Sequence, residues 1–279
     1  RRELGALLDA GIIERDPTRD EAYAFRHVLL RDAAYESLLR STRQRYHGAI
    51  LRVLVDRDPD LAERRPELMA QHYAGAGLLG EAIEHWRAAG ASSTARSAFR
   101  ESESNYRRAL EQLDALPPSP ERDRREVELR TGLGLSLVST QGFATRDIEE
   151  NYARASELCA RAKEVPFPVL IGVWTVVFVR GDREGVERVA GQMQRVAETT
   201  TDATLRLVAC SSLASRAFYR NNFREAQELG QRAIDALEGR DPHAVAMSIL
   251  AYGSEALLYG HFYRALADAA LGEEKRART

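Results

Sequence analysis

The side chains best equipped to bind a metal or carry a proton are six histidines, His27, His47, His72, His85, His243 and His261, and two cysteines, Cys159 and Cys210. A zinc site needs three or four such ligands at set spacings, as in His-Glu-x-x-His on one helix face. No such spacing occurs. His72 and His85 fall near consecutive turns, close enough to meet, yet packing or capping roles suit their surroundings better. Each cysteine sits in an apolar helical stripe, where a free thiol packs as a small hydrophobe. Asp147, Glu149 and Glu150 form an acidic run at a helix start, where the helix N-terminus favours carboxylates without any general acid–base role. Ser139-Thr140 and Ser211-Ser212 lack the Gly-x-Ser-x-Gly elbow of a nucleophile. A phosphate-holding loop needs Gly-x-x-x-x-Gly-Lys-Ser/Thr, and neither Lys163 nor Lys275 follows a glycine. The residues therefore predict no catalytic, cofactor-binding or metal-binding site in this chain.

Composition narrows the partners. The 279 residues carry 40 Lys+Arg against 42 Asp+Glu, a net charge of −2. A global basic footprint for nucleic acid or anionic membrane is thus absent. The 44% hydrophobic and 29% charged content is that of a folded chain. Arg107-Arg108 and Arg122, Arg124 and Arg125 are interleaved with acids and read as solvated. The longest apolar stretch, Val165 to Val179, contains Pro166 and Pro168 and stops at Arg180, too short to span a bilayer. No signal peptide opens the chain, and the start at Arg1-Arg2-Glu3 without Met suits a segment cut from a longer protein. A cytoplasmic setting is expected.

Stepping through the chain gives the elements that must position these groups. Residues 3–10 read as the end of a helix with Gly11 as its cap. Ile12–Arg15 and Ala22–Arg26 are strand-like runs around a Pro-containing turn, hence a β-hairpin. Helix followed by β-hairpin is the C-terminal part of a winged helix, assigned to residues 1–27. From His27 onward the pattern is helical, with helices at 28–40, 42–56, 62–76, 79–96, 99–115, 120–140, 144–164, 167–180, 183–199, 202–221, 223–238, 242–260 and 262–275. Pro59, Gly77, Pro117-Pro118, Pro166, Gly181, Asn221-Asn222, Pro242 and Gly260 separate them. Residues 28–60 are linker helices, and 61–279 form the repeat array.

The array repeats a small or aliphatic residue at i, a further residue at i+4 and a small or apolar residue at i+7. Its instances are Ala82/Trp86/Ala89, Ser102/Tyr106/Ala109, Ile148/Tyr152/Ala155, Val186/Ala190/Met193 and Ala226/Gly230/Ala233, with a partial sixth at Ala265 and Ala269. The last intervals are 38, 40 and 39 residues, longer than the usual tetratricopeptide period of about 34. The fold expected is all-α: a tetratricopeptide-like, right-handed helical-hairpin solenoid with a small N-terminal winged-helix remnant.

The chain resembles a known architecture. Phe25-Arg26-His27-Val28-Leu29-Leu30-Arg31-Asp32-Ala33-Ala34-Tyr35-Glu36-Ser37-Leu38-Leu39 is similar to the phrase that follows the winged helix in bacterial STAND-type signalling ATPases. The likeness continues through His72–Gly77, Ala82–Trp86, Tyr106–Glu111, Gly142–Ala144 and Tyr152–Ala155. It is nearest to proteins that join a class III adenylate/guanylate cyclase domain, an AAA-like ATPase and a C-terminal tetratricopeptide array. The resemblance implies a non-catalytic protein-interaction and sensor module, with ATP and a divalent metal bound only by domains upstream of this chain. The implied partners are a protein or peptide, the protein's own upstream ATPase domain, or a small-molecule effector. A similar array also occurs in STAND-type transcription activators. The wing between Arg15 and Arg26 could reach DNA, but the resemblance implies packing against the ATPase.

The repeat register also suggests a binding groove. Thr175, Ser215 and Ser254 recur at one position, 40 and 39 residues apart. Phe178, Phe218 and Leu257 lie three residues on, with Val179, Tyr219 and Leu258 beside them. Small hydroxyls beside large apolar side chains suit a peptide segment or small amphipathic ligand. The alternative is that these residues only pack against further repeats.

Overall fold

A computed structural model describes residues 2–15, 22–238 and 255–273. Packing divides the chain into two compact units, Arg1–His85 and Trp86–Thr279. The chain is all-α apart from one two-stranded sheet among the described residues.

The first unit runs α1 (Arg2–Asp9), β1 (Ile13–Arg15), β2 (Tyr23–Phe25), α2 (Val28–Ser37), α3 (Arg40–Arg57), α4 (Leu61–Arg64), α5 (Pro66–Ala76) and the start of α6 (Leu79–Ala95). The expected helix–hairpin order is present. Gly11, at φ +67°, lets the chain leave α1 while the Ile12 N–H returns to the Leu7 carbonyl at 3.0 Å. The strands pair antiparallel, Ile13 opposite Phe25 and Arg15 opposite Tyr23; residues 16–21 between them lie outside the described region. The single helix expected at 62–76 is two, because Pro66 cannot continue α4 yet is pre-organised to open α5. α3 packs on α5. The expected array start at residue 61 thus falls within the first unit.

The second unit holds the rest of α6, then α7 (Phe99–Asp114), α8 (Pro120–Gln141), α9 (Arg146–Ala162), α10 (Phe167–Val179), α11 (Arg183–Thr199), α12 (Ala203–Tyr219), α13 (Phe223–Asp235) and α14 (Glu255–Ala270). Each helix from α7 to α14 packs on the next, and α8 also meets α10 as α12 meets α14. The result is a sequential stack of helical hairpins. Two successive turns use one device. Gly181 and Asn221 take the left-handed conformation at φ +68° and +62°. The residue after each, Asp182 or Asn222, then caps the next helix by accepting from the Gly185 N–H at 3.0 Å or the Glu225 N–H at 3.4 Å.

Most of the repeated positions form the core: Trp86, Ala89, Ser102, Tyr106, Ala109, Ile148, Tyr152, Ala155, Ala190, Met193, Ala226 and Ala233 are buried, whereas Val186 is only half-buried, at the edge of the cluster. What admits the rings is glycine on the neighbouring helix. A Cβ built on Gly132 would lie 2.2 Å from the Tyr106 ring, and one on Gly90 would lie 2.8 Å from it. Tyr152 is wedged in the same way, 1.9 Å from a Cβ on Gly172 and 2.3 Å from one on Gly134. Each tyrosine therefore bridges the helix before its own and another beyond. Beside Tyr106 a hydroxyl cluster ties α6, α7 and α8 together. Ser102 donates to the Gly90 carbonyl at 2.9 Å and lies 2.7 Å from Thr94 Oγ1 and 2.8 Å from Ser136 Oγ.

The C-terminal register differs from expectation. No turn occurs at Gly260: α14 runs unbroken from Glu255 to Ala270. Gly260 serves close approach instead. A Cβ there would stand 3.1 Å from both the Ala233 Cβ and Ser211 Oγ, and one on Gly230 would meet the Gly260 carbonyl at 3.0 Å. The buried face of α14 accordingly carries Gly260, Tyr263, Ala267 and Asp268, while Ala265 is half-buried and Ala269 exposed. The first part of the helix expected at 242–260 lies outside the described residues.

Adding a methyl at Gly172 must push the Tyr152 ring, so Gly172→Ala should destabilise the fold by about 1–3 kcal/mol. Gly191, on the exposed face of α11 with nothing within 4 Å of its added Cβ, is the control. There alanine should be neutral or stabilising by up to about 1 kcal/mol through helix propensity. Urea unfolding midpoints of the two variants give the comparison.

Candidate functional site

Three of the groove residues expected from the register come together. Phe178 of α10 lies 5.5 Å, ring to ring, from Tyr219 of α12, and Tyr219 lies beside Phe218. Trp174, one turn before Phe178 on α10, stacks on it at 5.5 Å and 18°. Tyr263 of α14 closes the group against both Phe218 and Tyr219, and Tyr259 follows one turn away. Helical i, i+4 spacing puts each same-helix pair on one face. Tyr219 is the most open ring, 67% exposed. Trp174, Tyr259 and Tyr263 went unpredicted, although the four-residue spacing of 174/178 and 259/263 carries the signal. Burial and the neighbouring phenols of Tyr219 and Tyr259 push the Tyr263 phenol well above its ordinary value.

The hydroxyl half of the expected groove is turned inward. Ser215 is buried and donates to the Ser212 carbonyl at 2.6 Å; Thr175 is half-buried and donates to the Ile171 carbonyl at 3.0 Å. Both spend their proton on their own helix, a common fate of mid-helix Ser and Thr. Ser254 lies outside the described residues. Leu257 falls in α14, with its side chain outside the described region.

The histidines divide differently from expectation. His72 does not meet His85. His72 Nδ1 lies 3.0 Å from His47 Nδ1, and His47 Nε2 lies 2.9 Å from Tyr35 Oη. His85 stacks on Tyr73 instead, 4.9 Å away and nearly parallel. Burial lowers the pKa of all three histidines; at His85 it outweighs the opposing pull of Glu84 and Glu81. Among the described residues no group of three or more His, Cys, Asp or Glu could hold a metal ion. Cys159 and Cys210 are free and buried, and burial pushes both thiols up, as for packed hydrophobes.

Each acid of the run is paired with an arginine. Asp147 pairs with Arg107 at 2.7 Å, Glu149 with Arg180 at 2.6 Å and Glu150 with Arg146 at 2.6 Å. Arg108 lies over the Trp86 ring at 4.8 Å. In the wing, Arg26 faces Glu14 at 3.6 Å. Arg124 and Arg125 pair with Glu121 near the surface. Arg122 corrects the reading of a solvated run: its side chain is only 13% exposed. It donates to the Leu113 carbonyl and Asp114, sealing the C-terminal end of α7. It also reaches Glu126, a buried carboxylate that accepts from Arg130 at 2.9 Å and Arg154 at 2.9 Å. Burial by itself would raise Glu126, but these hydrogen bonds and charges outweigh it and hold the carboxyl below the ordinary range. No helix among the described residues is long and apolar enough to cross a membrane.

Against this geometry, no protein-family model matches the chain. A protein of Rhizobium meliloti (strain 1021) described as uncharacterized is 29% identical over 157 residues, 55% of this chain. The match spans about 15% of that protein's length. Among solved structures, the crystal structure of BtubC (BKLC) from P. vanneervenii is 16% identical, with a TM-score of 0.41 over 87% of this chain and 92% of that one.

Removing the Glu126 charge should be costly because three arginines converge on it. Glu126→Gln is expected to destabilise the fold by about 2–3 kcal/mol at pH 7. The carboxyl's folded pKa is depressed, so its contribution is complete above about pH 4.5 and is lost as pH falls toward the lowered value. The variant's acid-unfolding curve should therefore be flatter below pH 4.5 than that of the parent chain. Urea titrations at several pH values give both results.

Proposed function

We propose that this chain is a non-catalytic interaction and sensor module of a larger cytoplasmic signalling protein, of the type that joins an adenylate/guanylate cyclase to a STAND-type ATPase. The observation that carries this reading is the apolar surface of the first unit. α2 contains no buried residue, and α3 only Leu51. Leu29 and Leu39 are 77% and 74% exposed, with Val28, Tyr46 and Val53 at half exposure or more. Lone surface hydrophobes are ordinary, but a concentration of them on consecutive elements marks an interface. The partner for this face is the protein's own upstream ATPase domain. The second unit offers its open aromatics to a protein, a peptide or a small effector.

Two further features support a binding rather than a catalytic role. The acids and arginines that could do chemistry are engaged with each other across helices. The Rhizobium meliloti match, 15% of its protein, has the proportions expected of one module in a multidomain chain.

The preceding segment of the full-length protein, supplied as a separate polypeptide, should bind this chain in calorimetry. The double variant Leu29→Asp/Leu39→Asp should weaken that binding at least about tenfold, the loss of roughly 1.4 kcal/mol, with an unchanged helical spectrum. Equal binding by the variant would place the interface elsewhere. ATP hydrolysis or cyclic-nucleotide synthesis by the chain alone would refute the non-catalytic reading.

A further inference from the structure

A line of three titratable side chains crosses the first unit from helix to helix. Tyr35 of α2 meets His47 of α3, and His47 meets His72 of α5, at 2.9 Å and 3.0 Å. The His47 ring has a made-to-measure seat: a Cβ on Gly75 would stand 2.5 Å from it. Tyr35 meets the His47 ring edge-on and carries the Arg43 guanidinium over its own ring at 5.2 Å.

The two Nδ1 atoms are close enough that one hydrogen must lie between them and two cannot. A phenol O–H is a stronger acid than the N–H of a neutral imidazole, and the imidazole nitrogen is the stronger base, so Tyr35 donates to His47 Nε2. His47 then keeps its single hydrogen on Nδ1 and donates it to His72 Nδ1, leaving the His72 proton on Nε2. One direction of donation thus fixes both tautomers. A proton added to His72 must reverse the whole line, making Tyr35 the acceptor. A second proton sets two N–H groups face to face and breaks the His47–His72 contact.

We propose that Tyr35, His47 and His72 form a proton-operated latch that ties α2 to the α3–α5 pair at neutral pH and releases it in acid. α2 is suited to release, since it buries none of its residues in the unit. The released helix carries Val28, Leu29 and Leu30, so acid would reposition part of the exposed apolar face.

The charged neighbours leave this line in control. Arg31 pairs with Asp32 on α2, Arg65 with Glu67 at the start of α5, and Arg64 with Asp58 at the end of α3. Arg43 places its guanidinium over the Tyr35 ring. Glu36 follows Tyr35 on α2, and Glu81 and Glu84 of α6 act on His85. Burial lowers His47 and His72, and each charged ring disfavours the other at His72. Because the native pKa values are lowered, the unfolded chain binds more protons in that window. The stabilisation is complete above about pH 6.5 and is lost as pH falls through the lowered values.

Nitrogen-15 spectra of the 279-residue chain at pH 7.5 should show the hydrogen on Nδ1 of His47 and on Nε2 of His72. On lowering the pH to 5.0, the α2 amides should lose hydrogen-exchange protection at least about fivefold after correction for intrinsic rates. His72→Gln keeps an acceptor for His47 but cannot titrate, and should retain α2 protection at pH 7.5 while cutting the pH response by more than half. Tyr35→Phe, at a half-open position, should remove the tautomer preference of His47 without unfolding the chain. Both histidines on Nε2 at pH 7.5, or α2 protection that is unchanged at pH 5.0, would overturn the latch. So would a loss of the same size in His72→Gln.

Discussion

Two tyrosine rings, each lodged where a neighbouring helix has no side chain, set the spacing of the second unit. Tyr106 fills the notches at Gly90 and Gly132, and Tyr152 those at Gly134 and Gly172. A ring of this size, buried between helices, contributes a large apolar area and fixes their separation. The glycines must be there because interiors are packed too densely for a methyl to share the space. The alanines of the same stripe, Ala89, Ala109 and Ala155, are fully or almost fully buried and let the paired helices approach. Burial pushes the Tyr152 phenol up to about 12, so the ring is neutral at neutral pH.

Polar groups follow from that spacing. With α6, α7 and α8 held close by Tyr106, the Ser102 hydroxyl reaches Gly90, Thr94 and Ser136 at once. Farther out, arginines and acids pair across helices, as in Arg107 with Asp147, Arg180 with Glu149 and Arg216 with Glu187. The Glu187 carboxyl is drawn down to about 2 by Arg216, against a smaller cost of burial and with help from Arg220. Exposed pairs of this kind add little to stability.

The stack was legible because its rule is local: small or apolar residues recurring at i, i+4 and i+7 report one helix face. The partners of those rings were not legible, since Gly132, Gly134 and Gly172 sit on other helices and read alone as weak helix formers. Gly260 shows the ambiguity most sharply. The same residue type ends helices and lets helices touch, and only its contact with Ala233 and Ser211 tells which. Arg122 and Ser215 were misplaced for a related reason, because sequence gives residue type but not whether a neighbour covers it. In the candidate groove Phe178, Phe218 and Tyr219 meet, while the hydroxyls of Thr175 and Ser215 bond to carbonyls of their own helices, which residue type alone does not tell. The His47–His72 contact joins residues 25 apart across two helices and a break at Pro66, beyond the reach of any spacing rule.

The two units differ in what they leave uncovered. The second buries its stripe but leaves Tyr219, Leu258 and Phe262 open; the first leaves large apolar side chains along α2 and α3 open to solvent. The stack of the second unit rests on the fit of ring to notch. A double-mutant cycle between Tyr152→Ala and Gly172→Ala, read from urea unfolding, tests that fit most directly. The account predicts that the methyl at residue 172, costly beside the ring, becomes neutral or favourable once the ring is gone, a coupling of at least about 1 kcal/mol. Additive effects within about 0.5 kcal/mol would contradict it.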